Sequence, residues 1–119
     1  MIQIGWQSKI LFATAPVDFR KAFDGLCGVI RNDLERTPLD GTLFVFYNRR
    51  RDRIKILSWE SDGFFLYYKR LESGTFELPQ IESAQREVIM NKVALELLLH
   101  GVSLKSVRFR KRYKRVQYT

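Results

Sequence analysis

At 119 residues, with 45% hydrophobic and 29% charged side chains, the chain has the size and composition of one globular domain around one core, and nine Phe, five Tyr and two Trp make that core strongly aromatic. No apolar run approaches the roughly 20 residues of a membrane span, and residues 1–9 lack the cationic start and long apolar middle of a signal peptide, so a cytoplasmic protein away from the membrane is expected. A single cysteine excludes an internal disulfide, one Cys with one His excludes a Cys/His zinc site within a chain, and a formal charge of +8 directs attention to anionic partners.

Residues 9–14 read as a short strand ended by Ala15-Pro16, because a residue before proline is pushed out of helical geometry. A helix is expected next, with Asp18 as N-cap and Phe19, Ala22, Phe23, Leu26, Ile30 and Leu34 recurring at three- and four-residue spacings on one face. Arg20 and Lys21 would cap its exposed side. Gly25 and Gly28 each cost roughly 1 kcal/mol against Ala inside a helix, so they mark close approach of another element or a break. Residues 38–41 form a turn.

Residues 43–48, 53–59 and 64–71 are rich in aromatic and β-branched side chains and are separated by two four-residue polar loops, 49–52 and 60–63, which reads as three antiparallel strands. With both loops at that length, Asn48 lies opposite Arg53 and Trp59 opposite Phe64. One face then carries Phe44, Phe46, Asn48, Arg53, Lys55, Leu57, Trp59, Phe64, Leu66, Tyr68 and Arg70. Its apolar end suits a helical cover, while Asn48, Arg53, Lys55, Tyr68 and Arg70 gather beside the arginine-rich loop. The other face, with Val45, Tyr47, Ile54, Ile56, Phe65 and Tyr67, is also apolar; if no segment of the chain covers it, a second copy is the natural solution.

Ser73-Gly74 is a turn, residues 76–78 an edge segment ended by Pro79, and residues 87–90 another short strand. Asn91 is a candidate N-cap for a helix over residues 92–100, with Val93, Leu97 and His100 on one side and Gly101 as terminator. Residues 107–118 alternate as a strand would, yet Phe109, Tyr113 and Val116 also align on a helix, and an arm that orders only on binding is a third form. The expected fold is α+β: an antiparallel sheet of three long strands with one or two short ones, covered by two helices, with a single domain over residues 1–104 and a basic tail over 105–119.

The basicity is localised. Twelve of the twenty-one Lys and Arg residues fall in two runs, 49–55 and 105–115, which carry +4 and +7 and leave the rest of the chain slightly acidic. Cations crowded in this way repel one another and gain little from folding alone, whereas neutralising phosphates releases counterions and drives nucleic-acid binding. The candidate contacts are Arg49, Arg50, Arg51, Arg53, Lys55 and Arg70 around the hairpin and Arg108, Arg110, Lys111, Arg112, Lys114 and Arg115 in the tail, with Phe109, Tyr113 and Tyr118 placed to stack on opened bases. Asp52 would tether a neighbour.

Support for catalysis is thin. Asp24, Asp40, Asp52, Glu60 and Asp62 are scattered, with no spacing that converges carboxylates on one ion, and His100 stands alone at a helix end. Tyr47, Tyr67, Tyr68, Tyr113 and Tyr118 read as core or stacking aromatics, and Cys27 as a small buried hydrophobe. No phosphate-binding glycine motif is present, so neither a cofactor nor a metal is expected.

The strings Asp18-Phe19-Arg20-Lys21, Phe23-Asp24-Gly25-Leu26, Leu43-Phe44-Val45-Phe46 and Asn48-Arg49-Arg50-Arg51-Asp52-Arg53-Ile54-Lys55-Ile56-Leu57 are followed in order by Trp59, Gly63-Phe64, Lys69-Arg70-Leu71-Glu72, Gly74, Phe76, Pro79 and Leu98-Leu99-His100-Gly101. Over roughly residues 9–101 the chain thereby resembles the small TnpB-type accessory protein of bacterial insertion sequences of the family numbered sixty-six. The resemblance implies an accessory role in moving a mobile DNA element beside a separate, larger transposase, and it brings no catalytic residues. The expected function is a non-enzymatic DNA-binding accessory factor whose partners are the element ends and the transposase. The competing reading is an adaptor that docks the cationic surface on an acidic patch of the transposase, and a small metal-dependent nuclease stands third.

Overall fold

The computed structural model describes residues 9–81 and 84–101. These form β1 (Ile10–Ala13), α1 (Phe23–Gly28), β2 (Leu43–Tyr47), β3 (Arg53–Glu60), β4 (Gly63–Arg70), β5 (Glu87–Met90) and α2 (Lys92–His100). The strands make one sheet, in the order β4-β3-β2-β1-β5, and with the two helices the class is α+β. The tail residues Arg108, Arg110, Lys111, Arg112, Lys114 and Arg115 lie outside the described residues.

The β2-β3-β4 meander has the register that its loop lengths dictate: Phe44 pairs with Leu57, Tyr47 with Ile54, Trp59 with Phe64 and Arg53 with Arg70. The backbone N–H of Asn48 donates to the Arg53 carbonyl at 3.3 Å and carries that pairing into the turn. The two short strands extend this meander at the β2 edge, and their directions differ. β1 runs parallel to β2, with Ile10 beside Leu43 and Phe12 beside Val45, and antiparallel to β5. A parallel pair requires a crossover, here the segment that contains α1.

That helix starts later than its apolar spacing suggests. Asp18 accepts a hydrogen bond from the Arg20 backbone N–H at 2.9 Å rather than capping α1, and Ala22 at the cap position offers no side chain for the purpose. A Cβ on Gly25 would lie 2.9 Å from Lys21 Cβ and Cγ, so close approach explains this glycine, whereas Gly28 stands where regular α-helical geometry ends. Beyond it the chain widens into a π-helical turn over Val29–Asp33, marked by the Leu34 N–H donating five residues back to the Val29 carbonyl at 3.1 Å.

Strand alternation sorts the core into two layers. On one face Leu11, Ala13, Phe44, Phe46 and Leu57 pack against Leu26, Cys27, Val29 and Ile30 of the crossover. On the other, Ile10, Phe12, Val45, Tyr47, Ile54 and Ile56 pack against Leu95 and Leu98 of α2 and against Phe76. Phe12 and Tyr47 stack across β1 and β2, with ring centroids 5.4 Å apart. Each of these large side chains, withdrawn from water, contributes roughly 1.5–3 kcal/mol. Both faces of β1 and β2 and the middle of β3 are covered within one chain, whereas Phe64, Phe65, Leu66 and Tyr67 of β4 are only half-buried.

α2 has the expected ends: the Asn91 side chain accepts from the Ala94 N–H at 2.7 Å, and Gly101 closes the helix with φ of 83°. Its buried side is Leu95 and Leu98, however, and Val93 is exposed; four Leu within five positions offer more than one apolar stripe, and docking selects among them. Phe76 is a second departure, since its segment is not a strand. Its N–H donates to the Arg51 carbonyl at 2.7 Å, and its ring plugs the core beneath the hairpin.

Candidate nucleic-acid interface

The hairpin between β2 and β3 is built by one asparagine. Arg51 N–H donates to the Asn48 carbonyl at 2.9 Å to close the turn. The Asn48 side chain accepts from the N–H groups of Asp52 (3.1 Å) and Arg53 (2.9 Å) and donates to the Asp52 carboxylate at 2.6 Å. Asp52 thus tethers Asn48 and leaves the arginines unneutralised. Arg49, Arg50 and Arg51 are exposed, and none forms an ion pair with a carboxylate among the described residues. Arg51 also sits in the left-handed region with φ of 62°, a conformation that costs a non-glycine residue about 1 kcal/mol or more.

A second wall comes from the segment between β1 and α1. Val17 N–H donates to the Tyr47 carbonyl at 3.0 Å and pins this segment to the end of β2. Asp18 and Arg20 form an exposed ion pair at 2.6 Å, and the Arg20 hydrogen bonds hold the Asp18 carboxyl down at about 2. Between the two walls lies a cleft of about 540 Å³ lined by Arg20, Arg49, Arg50 and Arg53, with Asp18 as its one acid and Pro16, Val17, Phe19 and Asn48 completing the surface. Periodicity alone places Arg20 on the exposed side of a helix, away from the hairpin. The basic Arg20-Lys21 pair is visible in the sequence, but the Val17–Tyr47 bond that carries it to the hairpin is not.

Lys55 departs from its expected place on the binding surface. Only 4% exposed, it donates from Nζ to the carbonyls of Phe19 (2.9 Å) and Lys21 (2.7 Å), with the Phe19 and Tyr68 rings each 4.9 Å from the ammonium. Burial, and then the nearby Arg53 charge, push its pKa below the ordinary lysine value. Lys55 therefore fastens the second wall to β3 and is withdrawn from any ligand.

Arg53 is half-buried and donates from Nη1 to the Tyr68 hydroxyl at 3.1 Å. Arg70, directly across the β3-β4 ladder from it, is exposed and bonded to Glu72 at 2.8 Å. Two arginines facing each other across strands repel, and these side partners offset the repulsion. Arg51 and Arg70 are not among the cleft-lining residues and stand as flanking cations. Chemically, the cleft presents planar multi-donor cations suited to two-pronged bonds with phosphate oxygens.

Among the described residues no group of three or more His, Cys, Asp and Glu side chains is placed to hold a metal ion, and no helix is long and apolar enough to cross a membrane.

The chain has relatives in sequence. The family model described as IS66 Orf2 like protein matches residues 8–109. The chain is 36% identical over 107 residues to the uncharacterized protein y4jC of Sinorhizobium fredii (strain NBRC 101917 / NGR234), an alignment that covers 90% of this chain and 89% of the relative. It is 31% identical over 102 residues to y4hO, a second uncharacterized protein of the same strain, covering 86% and 87%. No solved structure matches the chain. With the family pattern running from before β1 to beyond α2, the chain belongs to the IS66 Orf2-like family, the accessory proteins of an insertion sequence.

Proposed function

We propose that the protein is a non-enzymatic DNA-binding factor in transposition of its element, gripping backbone phosphates through Arg49, Arg50 and Arg53, with Arg20, Arg51 and Arg70 at the margins. One observation carries this reading: four arginines converge on one cleft against a single carboxylate, and that carboxylate is already paired. Asp18 is paired to Arg20, which leaves Arg49, Arg50 and Arg53 together without an acid of their own, and guanidinium groups held in this way raise the local potential and gain most when a polyanion enters. The tail cations Arg108, Arg110, Lys111, Arg112, Lys114 and Arg115 add a second anchor along the same backbone. The partners are the element ends and the transposase, and the step assisted is holding those ends or loading the transposase on them.

A second reading draws on the apolar residues of the cleft: Pro16, Val17 and Phe19 suit an acidic peptide of the transposase as well as they suit DNA. An electrophoretic shift with element-end and random duplexes, across a salt series, separates the two. Changing Arg49, Arg50 and Arg53 together to Ala should weaken DNA binding by at least about tenfold and flatten the salt dependence by roughly 0.9 in log–log slope for each phosphate no longer neutralised. Unchanged DNA affinity together with loss of transposase capture would overturn DNA binding in favour of the adaptor.

A further inference from the structure

Tyr68 is not itself a cleft-lining residue, but it touches two that are, Arg53 and Phe19. It lies on β4 directly across from Lys55, and 47% of its surface remains exposed. Its hydroxyl accepts from Arg53, which lines the cleft, and Phe19, another lining residue, meets its ring edge-on at 5.9 Å between centroids. The buried Lys55 ammonium lies over the ring, 4.9 Å from its centre. Strand backbone, ammonium, guanidinium and a second ring together hold one orientation, so little side-chain freedom remains to be lost when a flat ligand is received.

This pairing of an exposed, braced aromatic ring with phosphate-binding groups discriminates between forms of DNA. A closed duplex offers phosphates and groove edges, but its base faces are covered by neighbouring bases. A single strand offers phosphates and a bare base face at once, and proteins that hold such strands combine a cationic groove with aromatic platforms. The cleft, at about 540 Å³, has the capacity of pockets that enclose a ligand of nucleotide size.

The geometry points to a single DNA strand as the ligand of this cleft, with Arg49, Arg50 and Arg53 on phosphates and one base laid on Tyr68. The assignment rests on the DNA-binding reading given above and narrows it. It matches a protein that acts where element ends are opened rather than along intact duplex.

Fluorescence anisotropy of the full chain with labelled oligothymidylate, and with a mixed-sequence duplex of equal length, tests it. Tyr68→Ala should weaken oligothymidylate binding on the order of tenfold and change duplex binding by less than about twofold, while Tyr68→Phe, which keeps the ring, stays within about twofold on both. Tyr68→Leu preserves bulk on the strand without a π face and should match Tyr68→Ala, which separates loss of stacking from loss of folding. If the Ala and Leu variants bind both ligands as the parent does, or weaken on both equally, the single-strand assignment is overturned. It is also overturned if Tyr68→Phe loses as much as Tyr68→Ala, since the hydroxyl bond to Arg53 would then be the relevant interaction. The triple Arg49, Arg50 and Arg53 to Ala variant distinguishes the two levels: unchanged affinity for both ligands sinks DNA binding by the cleft, whereas weakened binding to both with no Tyr68 effect sinks only the single-strand assignment.

Discussion

Two groups of arginines sit near the same end of the sheet and behave in opposite ways. Near the start of β5, Arg36 is ion-paired to Glu87 and Arg86 to Glu35, each bond joining residues 51 positions apart. In the β2-β3 hairpin, Arg49, Arg50 and Arg51 meet no carboxylate among the described residues, although Asp52 is their immediate neighbour. The first group ties the crossover to β5 and serves the fold. The second leaves like charges crowded on a turn, an arrangement that folding does not reward and an external anion does. The same residue type thus acts as a tether where its acid is supplied and stands as an uncompensated charge where it is withheld.

The largest effect should come from breaking a tether. Glu87→Ala leaves the partly buried Arg36 guanidinium without its acid and should lower stability by about 2 kcal/mol in urea unfolding, with DNA affinity unchanged. A variant as stable as the parent would place both arginine groups in the same class. A smaller change of opposite sign is expected at the hairpin. Arg51→Gly relieves the left-handed backbone and should stabilise the fold by about 0.5 kcal/mol, after allowing for the freer unfolded chain, while weakening DNA binding. A gain in stability at the expense of affinity is the signature of a residue kept for its ligand, and a destabilised variant would instead make Arg51 structural.

The smallest effect concerns the pair at the cleft margin. The Asp18 carboxyl is held at about 2, against an ordinary value of 3.8, chiefly by its hydrogen bonds from Arg20. A group depressed in this way adds stability that is complete above the ordinary value and disappears as pH falls from there through about 2. Because the pair is exposed, the amplitude should be slight, and NMR titration of the Asp18 carboxyl is the sensitive measurement. A midpoint near 3.8 would show that Arg20 is not engaged and is free to join the other three arginines.

Most of the fold is legible in the sequence because its determinants are local. Four-residue loops set the β2-β3-β4 register, Asn91 and Gly101 bracket α2, and residues 87–90 form β5 as their composition suggests. What escapes is decided by distant contacts. The parallel pairing of β1 with β2 depends on where the crossover lands, and the start of α1 on Asp18 preferring Arg20 to the helix. At the site, the hairpin arginines are legible from charge alone. Lys55 is not, because alternation shows which face it occupies and cannot show that the backbone of Phe19 and Lys21 closes over it. The cleft needs both walls, and only one of them is a single run of sequence.

The strand order carries a consequence for biogenesis. β1 is made first yet lies inside the sheet, between β2 and β5, so its apolar edge waits for partners synthesised much later. The β2-β3-β4 meander closes through short loops and is topologically the fast part of the molecule. On a ribosome the arginine turn would therefore be shaped before the sheet is complete, and truncation ahead of β5 would leave one edge of β1 open to association with other chains.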